Sequence, residues 1–241
     1  VAGDAAERGI AIHAALREVS EKLRPRAGSE PIDEASIARV LDAAASTALS
    51  AYRRLPLALQ RSERGRLIAL LRDWLQIEMA RPKYRVFATE YDTTLLLAGI
   101  LFQLRIDRID RIGPADQLLV IDYKTAAISA NALIGDRPEE PQLAMYALSL
   151  PQSVAIAFGQ IRSRDCRLTG WSDESTTMRT AEVRLNAPPE EYRGKWSALR
   201  EHWSDRLEAL AVEFRSGVAD VNPRNASAWP NWASKPRHWP T

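Results

Sequence analysis

Two neighbouring segments of the chain have the pattern of β-strands, and both carry charged residues where strands are usually apolar. The sequence LRIDRID at 104–110 is followed, after a turn at 113–116, by LLVIDYKT at 118–125. Such a short connection predicts an antiparallel hairpin. The second strand is apolar from 118 to 121 and then reaches Asp122 and Lys124. Burying a carboxylate is unfavourable unless a positive group compensates it, so this strand end calls for a binding partner.

The alternation of side chains along a strand indicates which charged groups share a face. Asp122 and Lys124 point to the same face of the second strand, and Asp107 shares a face of the first strand with Arg105. The short turn brings Asp107 close to Asp122. Two adjacent carboxylates repel each other unless a proton or a cation lies between them. We therefore expect a cation at this point, and Mg²⁺ suits it because it prefers oxygen ligands.

Lys124 adds a second chemical element to the hairpin. An ammonium group beside a metal site can hold a phosphate, orient a water molecule or stabilise developing negative charge. Two aspartates and a lysine at one strand end therefore indicate metal-assisted hydrolysis of a phosphodiester. The hairpin alone leaves a plainer interpretation open, in which its charges form surface salt bridges.

The remaining pattern predicts an α/β protein with a central mixed β-sheet flanked by helices and with an N-terminal helical part. Helical periodicity is present at 5–24, 34–53, 62–80, 139–150 and 188–216, with Ser62 as the expected N-cap of the third helix. Strands are expected at 84–92, 95–112, 117–125 and 153–161. We expect one domain over 1–241, with a helical part at 1–82, a core at 83–216 and an irregular Trp- and Pro-rich tail at 217–241.

Composition excludes several classes of protein. Hydrophobic residues make up 46% of the 241-residue chain, which is typical of a folded protein. The single cysteine, Cys166, excludes an internal disulfide framework, a four-cysteine zinc site and an iron–sulfur cluster held by this chain alone. Neither an apolar run of the roughly 20 residues that a membrane span needs nor a signal peptide is visible, so a cytoplasmic protein without a membrane partner is expected.

The hairpin and four other segments together resemble the PD-(D/E)XK nuclease superfamily, specifically its RecB-like branch, which includes the nuclease domains of RecB, AddA and AddB. RGIAIH at 8–13 looks like the Gly-x-x-x-His element of the branch, and 74–90 looks like the stretch that leads to a strand glutamate. LRIDRID matches the Gly-x-x-Asp-Arg-x-Asp strand, with Leu104 where glycine is usual. IDYKT carries the Asp-x-Lys core, and PQLAMYA at 141–147 resembles the Gln-x-x-x-Tyr motif.

The resemblance implies a restriction-endonuclease-like core and a set of site residues. His13, Asp107 and Asp122 would bind Mg²⁺ or Mn²⁺ together with the Tyr123 carbonyl, and Lys124 would be the catalytic lysine. Glu90 would be a further carboxylate of the site. Gln142 and Tyr146 would support the site or contact DNA. Apart from the resemblance, a nuclease must hold a polyanion, so basic residues are expected near the site: Arg105 and Arg8, with Arg162, Arg164 and Arg167 extending the DNA path.

Each of these roles has a simpler alternative. A single helical histidine is usually structural, and Glu90 has the pattern of a solvated charge at a strand end. Gln142 and Tyr146, four residues apart on one helical face, would also suit a cap on the core. Asp110 is expected to pair with Arg108 or Arg111 rather than to bind metal.

The C-terminal tail departs from the pattern of the related nucleases. Several of them carry cysteines there that hold an iron–sulfur cluster, whereas this chain has Ser227, Pro230 and Pro236 at roughly those places. No iron–sulfur cluster is therefore expected. In this branch the nuclease domain usually ends a larger helicase-like protein, and the start at Val1 without methionine suits a piece of such a chain. The resemblance thus implies a DNA repair or recombination factor with a helicase–nuclease partner subunit.

Two functions from different classes follow. The first is a metal-dependent deoxyribonuclease, of exonuclease type, acting on DNA in repair or recombination. The second is a catalytically silent DNA-binding or scaffolding module of a helicase–nuclease complex. A third interpretation, a metal-free protein-interaction domain, would explain the Trp-rich tail but not the charged residues of the hairpin.

Overall fold

The architecture was taken from a computed structural model, which describes residues 5–22, 33–49, 56–82 and 84–218. Within these ranges the helices are α1 (Ala5–Lys22), α2 (Glu34–Ala48), α3 (Leu57–Ala80), α4 (Pro141–Ser149) and α5 (Trp196–Arg215). The strands are β1 (Tyr84–Leu97), β2 (Ile100–Ile112), β3 (Gln117–Lys124), β4 (Ser153–Gln160), β5 (Arg167–Ser172), β6 (Met178–Arg179) and β7 (Val183–Asn186). None of the described helices is long and apolar enough to cross a membrane.

The strands form one seven-stranded mixed sheet in the order β1-β2-β3-β4-β5-β7-β6. β1, β2 and β3 form an antiparallel meander, while β4 lies parallel to β3 and is reached through α4. β5 returns antiparallel to β4, and β7 lies parallel to β5. The parallel pair β3–β4 occupies the middle of the sheet, where both faces are covered and the strands are correspondingly apolar.

The helices cover both faces of the sheet and produce two hydrophobic cores. α1, α2 and α3 pack on one face, against Leu119, Ile121 and Tyr123 of β3. α4 and α5 pack on the other face, against Leu118 and Val120. The alternation of β3 side chains between two cores is the period-2 pattern of a strand buried on both sides. The predicted α/β class, with a mixed sheet between helices and with N-terminal helices, is confirmed.

Several element boundaries differ from the sequence-based prediction. The strand expected at 95–112 is divided by a two-residue turn at Ala98 and Gly99, so that Leu95–Leu97 belong to β1. Both turn residues have positive φ, 48° and 79°, as a tight type I′ hairpin turn requires. The prediction was wrong because the apolar run from 95 to 102 hides the turn, in which glycine is the one informative residue.

Two predicted helix starts were also wrong. α3 begins at Leu57, after Pro56, so Ser62 lies inside the helix and does not cap it. α5 begins at Trp196 rather than at 188, because a short 3-10 turn at Glu190–Tyr192 and the left-handed residues Arg193 and Gly194 precede it. The predicted helix ends at 23–24 and 50–53, and most of the tail at 217–241, lie outside the described residues.

Candidate active site

The site lies where β2 and β3 separate. Their last regular pair is Arg108 with Ile121, and continuing the same register would place Asp107 opposite Asp122. Instead of a strand-to-strand bond, the backbone N–H of Tyr123 donates to Asp107 Oδ2 over 2.7 Å. The carboxylate thus replaces a backbone acceptor at the point where the ladder ends. This brings the two aspartates predicted from the sequence to one position in the fold.

Asp122 is a buried carboxylate with an incomplete set of partners. It is 2% exposed, and its Oδ2 atom accepts no hydrogen bond from the described part of the chain. Lys124 Nζ lies 3.0 Å from that oxygen and forms an ion pair with it. Burial raises the pKa of Asp122 to about 6, and the charge of Asp107 adds to the shift while Lys124 opposes it. A nearby positive charge would therefore stabilise the ionised form of the Asp122 carboxylate.

Lys124 lies between two carboxylates and an amide. Its Nζ is 3.0 Å from Asp122 Oδ2 and 3.0 Å from Glu140 Oε2, and it donates to Gln142 Oε1 over 3.4 Å. Burial lowers the pKa of Lys124, but Asp122 and Glu140 outweigh that effect and raise the pKa above its ordinary value. The lysine is therefore a fixed positive charge at neutral pH.

Glu140 belongs to the site although no sequence pattern indicated it. It occupies the N-cap position of α4, directly before Pro141, and two residues before Gln142. Acidic residues are common at helix N-termini because they interact favourably with the helix dipole, so the sequence offered an ordinary explanation for it. Its contact with Lys124 depends on how α4 meets the end of β3, which local sequence does not reveal.

His13 reaches the site from α1. Its Nδ1 lies 3.4 Å from Asp107 Oδ1, and its ring meets the Tyr123 ring edge-on with centroids 5.9 Å apart. Burial lowers the pKa of His13, but the hydrogen bond and charge of Asp107, with smaller contributions from Asp122 and Glu90, raise it overall. The geometry is compatible with the predicted role as a metal ligand, and that role remains a prediction.

Glu90 lies opposite Asp107 on a distorted part of β1. The neighbouring pairs Thr89–Arg108 and Tyr91–Ile106 place it opposite Asp107, and its φ is 49°, a left-handed value that is unusual for a side chain other than glycine. A register shift between Val86 and Ala88 precedes it on the same strand. Such irregularities often redirect a side chain near a functional site. Glu90 is half-buried and close enough to raise the pKa of His13.

Gln142 and Tyr146 form a short hydrogen-bonded chain beneath Lys124. Gln142 Nε2 donates to the Tyr146 hydroxyl over 2.5 Å, and that hydroxyl donates to the Arg105 carbonyl over 2.5 Å. Gln142 Oε1 meanwhile accepts from Lys124. Burial, with the charges of Asp122 and Asp107, raises the pKa of Tyr146 well above its ordinary value. The tyrosine therefore stays a neutral phenol that links α4 to β2.

Several of the arginines predicted to bind DNA are paired with carboxylates in the structure. Arg105 is exposed and pairs with Asp92 across the β1–β2 ladder at 2.8 Å. Arg8 is half-buried on α1 and makes no ion pair with any described residue. Arg162 and Arg167 both pair with Asp165, so that one carboxylate offsets part of their charge. Arg164 is exposed at the same turn, with φ of 60°.

The side-chain atoms at the strand ends are of the types that can coordinate a divalent cation. Asp107 and Asp122 supply carboxylate oxygens, His13 supplies an imidazole nitrogen, and the buried Oδ2 of Asp122 has no hydrogen-bond donor. Hard cations take such oxygen ligands, and an added imidazole favours Mn²⁺ over Ca²⁺. Within the described ranges, however, no three His, Cys, Asp or Glu side chains are already arranged to hold a metal ion. Lys124 is the cation that contacts Asp122 in this arrangement.

Comparison with known proteins found a matching family and distant likenesses among solved structures. A model of the PD-(D/E)XK nuclease superfamily matches residues 1–229. No curated protein matches the chain. A solved structure described as "Crystal structure of SSO0001" aligns over 87% of this chain and 88% of its own, with 14% identity and a TM-score of 0.28, which is too low to support any conclusion.

Proposed function

The chain belongs to the PD-(D/E)XK nuclease superfamily, and from this membership we propose that it is a metal-dependent deoxyribonuclease. Superfamily membership indicates a nuclease that hydrolyses phosphodiester bonds. The choice of DNA, the exonuclease type, a role in repair or recombination and a cytoplasmic location belong to the proposal. They rest on the RecB-like motifs at 8–13, 104–110, 121–125 and 141–147.

One observation carries the proposal. The buried Asp122 Oδ2 accepts no geometrically ideal hydrogen bond from the described residues, and it lies next to both Lys124 and a second carboxylate, that of Asp107. Burial and the neighbouring charge of Asp107 both raise the pKa of Asp122, so a protein that used these charges only for stability would gain little from placing two carboxylates together. An uncompleted, charged site in an otherwise apolar strand is typical of a site that binds a ligand.

The residues of the site have separable roles in hydrolysis. Asp107, Asp122, His13 and the Tyr123 carbonyl would hold Mg²⁺ or Mn²⁺, with Glu90 as a further carboxylate. When bound, such a cation supplies positive charge that offsets the carboxylates and the charge developing on the phosphate.

The remaining residues act on the substrate or on one another. The ammonium of Lys124 binds a phosphate oxygen and stabilises negative charge as the bond to the leaving group breaks. Gln142 orients Lys124, and Tyr146 fixes Gln142 to β2.

The domain organisation and partners of the chain are part of the proposal. One nuclease domain over 1–241 is supported by the way in which α1, α2 and α3 share a core with the sheet. A helicase–nuclease partner and the absence of an iron–sulfur cluster rest on the RecB-like motifs and on the lone Cys166. Burial raises the pKa of the Cys166 thiol to about 11, so the thiol is protonated at neutral pH when no metal is bound.

The alternative function is a DNA-binding or scaffolding module that no longer cleaves. One observation favours it, namely that Lys124 and Glu140 already satisfy part of the charge in the site. A single comparison separates the two. The wild-type chain and Asp122→Ala are titrated with Mn²⁺ by calorimetry and assayed for cleavage of a labelled oligonucleotide.

The proposal predicts that the wild type binds Mn²⁺ and cleaves DNA, and that Asp122→Ala does neither while its circular dichroism spectrum is unchanged. A wild type that neither binds Mn²⁺ nor cleaves the oligonucleotide, but binds it in a fluorescence anisotropy assay, would establish the alternative. Cleavage that persists in EDTA would contradict the metal-dependent mechanism.

A further inference from the structure

A network of four buried charges lies on the opposite face of β2 from Asp107. Its members are Glu78 of α3, Arg81 directly after α3, and Arg108 and Asp110 of β2, and each is at most 7% exposed. Two positive and two negative side chains make the network neutral. Asp110 pairs with Arg108 at 2.7 Å and with Arg81 at 2.8 Å, as the sequence led us to expect for Arg108. Arg81 also lies 4.0 Å from the centroid of the Tyr84 ring.

Arg108 is the centre of this network because every one of its N–H groups has a partner. A guanidinium has five N–H donors in a planar arrangement. Arg108 uses them for Asp110 Oδ1 at 2.7 Å, Asp110 Oδ2 at 3.0 Å, Glu78 Oε2 at 2.8 Å, Ser20 Oγ at 3.2 Å and the Tyr123 hydroxyl at 3.2 Å. No other natural side chain could make this set, since lysine has only three donors.

The partners of Arg108 come from four different elements. Ser20 belongs to α1, Glu78 to α3, Asp110 to β2 and Tyr123 to β3. Ser20 is seven residues from His13, so the two side chains lie on the same face of α1 about two turns apart. The hydrogen bond from Arg108 to Ser20 therefore fixes the rotation of the helix that carries His13 to the site.

Tyr123 connects the network to the site from the other side. Its ring packs edge-on between His13 and Trp74, with centroids 5.9 Å and 5.7 Å away. Gly159 of the adjacent strand makes room for the ring, because a Cβ at that position would lie 2.7 Å from Tyr123 Cδ1. The tyrosine hydroxyl thus reaches Arg108 while its backbone N–H holds Asp107.

We propose that Arg108 is a positioning residue that keeps His13 of α1 in place relative to the strand ends bearing Asp107 and Asp122. It does so through the Ser20 and Tyr123 hydroxyls, without touching metal or substrate itself. The inference rests on the proposed function, because it treats His13 as part of the metal site. A network needed only for stability would gain little from its ions, since well-packed apolar residues often replace buried ion pairs without loss.

The test uses the smallest change that breaks the link to α1. Ser20→Ala deletes the hydroxyl that accepts from Arg108 and leaves all four charges of the network present. Ser153→Ala is the matched control, because Ser153 is also buried and also accepts a hydrogen bond from an arginine, Arg200, at 3.0 Å. Ser153 begins β4, at the opposite end of that strand from the site. Ser20→Thr restores the hydroxyl.

Mn²⁺ affinity is measured by calorimetry on the full chain, with thermal unfolding followed in parallel. We expect Ser20→Ala to bind Mn²⁺ about fivefold more weakly than the wild type, which corresponds to the roughly 1 kcal/mol net value of one hydrogen bond. Ser153→Ala should lose similar stability with unchanged Mn²⁺ affinity, and Ser20→Thr should recover most of the affinity.

Equal Mn²⁺ affinities in Ser20→Ala and Ser153→Ala would overturn the positioning role and leave the proposed function intact. A wild type that binds no Mn²⁺ would overturn the proposed metal site, and this inference with it. A more severe variant, Arg108→Lys, gives a second measurement. It should weaken Mn²⁺ binding further than Ser20→Ala wherever enough folded protein is obtained.

Discussion

The backbone N–H of Tyr123 donates to the carboxylate of Asp107 over 2.7 Å, which ties the end of β3 to the side chain of β2. Asp107 is one residue and Tyr123 two residues beyond the last regular ladder pair, Arg108 with Ile121, so the two strands separate at the position of Asp122. The aspartates are therefore brought together by the way the ladder ends. The same bond leaves Asp107 Oδ1 directed towards His13, at 3.4 Å.

The buried Asp122 carboxylate should lower the stability of the metal-free protein. Its pKa rises from 3.8 to about 6 on folding, so the folded state binds more protons than the unfolded state between those values. Stability therefore falls as pH rises through that window, by up to roughly 3 kcal/mol. Asp122→Asn should consequently increase the free energy of unfolding by about 1–3 kcal/mol in EDTA at about pH 8.

Urea unfolding measures this effect, with Asp205→Asn as the control because Asp205 is exposed on α5. The control should change stability by less than about 0.5 kcal/mol. Adding Mn²⁺ should stabilise the wild type but not Asp122→Asn. A destabilised Asp122→Asn protein in EDTA would show that the carboxylate is satisfied in the fold.

The buried network should make the protein sensitive to acid. Burial raises the pKa of Glu78, but Arg108 and Arg81 outweigh it and lower the pKa to about 2. Because the folded pKa is depressed, the stabilisation is fully present above about pH 4.5 and is lost as pH falls towards 2. Glu78→Gln should therefore reduce stability at neutral pH and flatten the loss between pH 4.5 and 2.

Urea unfolding at several pH values follows this prediction, and Glu201→Gln on the exposed face of α5 is the control. The control should retain the wild-type slope. If Glu78→Gln keeps both its neutral-pH stability and the full acid slope, the ion pairs contribute no net stabilisation.

Glu140 should weaken DNA binding by competing for Lys124. The two groups lie 3.0 Å apart, and a phosphate would approach the same ammonium. Removing one negative charge near the phosphate should tighten binding of a labelled oligonucleotide roughly threefold in Glu140→Gln. Fluorescence anisotropy in EDTA measures binding without cleavage. Asp136→Asn, which removes a carboxylate paired with Arg206, should leave affinity unchanged. Weaker binding by Glu140→Gln would mean that the glutamate positions the lysine productively.

Arg105 offers a test of where the DNA lies. Its side chain is exposed and paired with Asp92, and an exposed pair contributes little to stability. If Arg105 contacts a phosphate, Arg105→Ala should reduce the magnitude of the log–log salt slope by about 0.7 for single-stranded DNA. Arg85→Ala is the matched control. Arg85 lies near the start of β1, is also exposed and also pairs with an aspartate, Asp116. Equal slopes in both variants would place the DNA path away from Arg105.

The sequence predicted those parts of the site that depend on strand periodicity and motif order. Asp107, Asp122 and Lys124 were found because alternation and a short turn determine their common location. Glu140 was missed because its contact depends on the angle at which α4 meets β3. The short strands β5, β6 and β7 were also missed, since β6 and β7 have two and four residues and no clear alternation. The turn at Ala98 and Gly99 was hidden within an apolar run.

The most direct test of the account is the cleavage rate of Lys124→Ala, measured together with its Mn²⁺ affinity. The lysine contacts Asp122 but is assigned to the phosphate, so its removal should preserve metal binding. With Mn²⁺ present, the wild type should cleave a labelled oligonucleotide, and Lys124→Ala should be slower by at least about 100-fold, as for the loss of one stabilising donor. Its Mn²⁺ affinity should be equal to or higher than that of the wild type, because a competing cation is removed. Cleavage by Lys124→Ala at the wild-type rate would contradict the assignment of this hairpin as a nuclease active site.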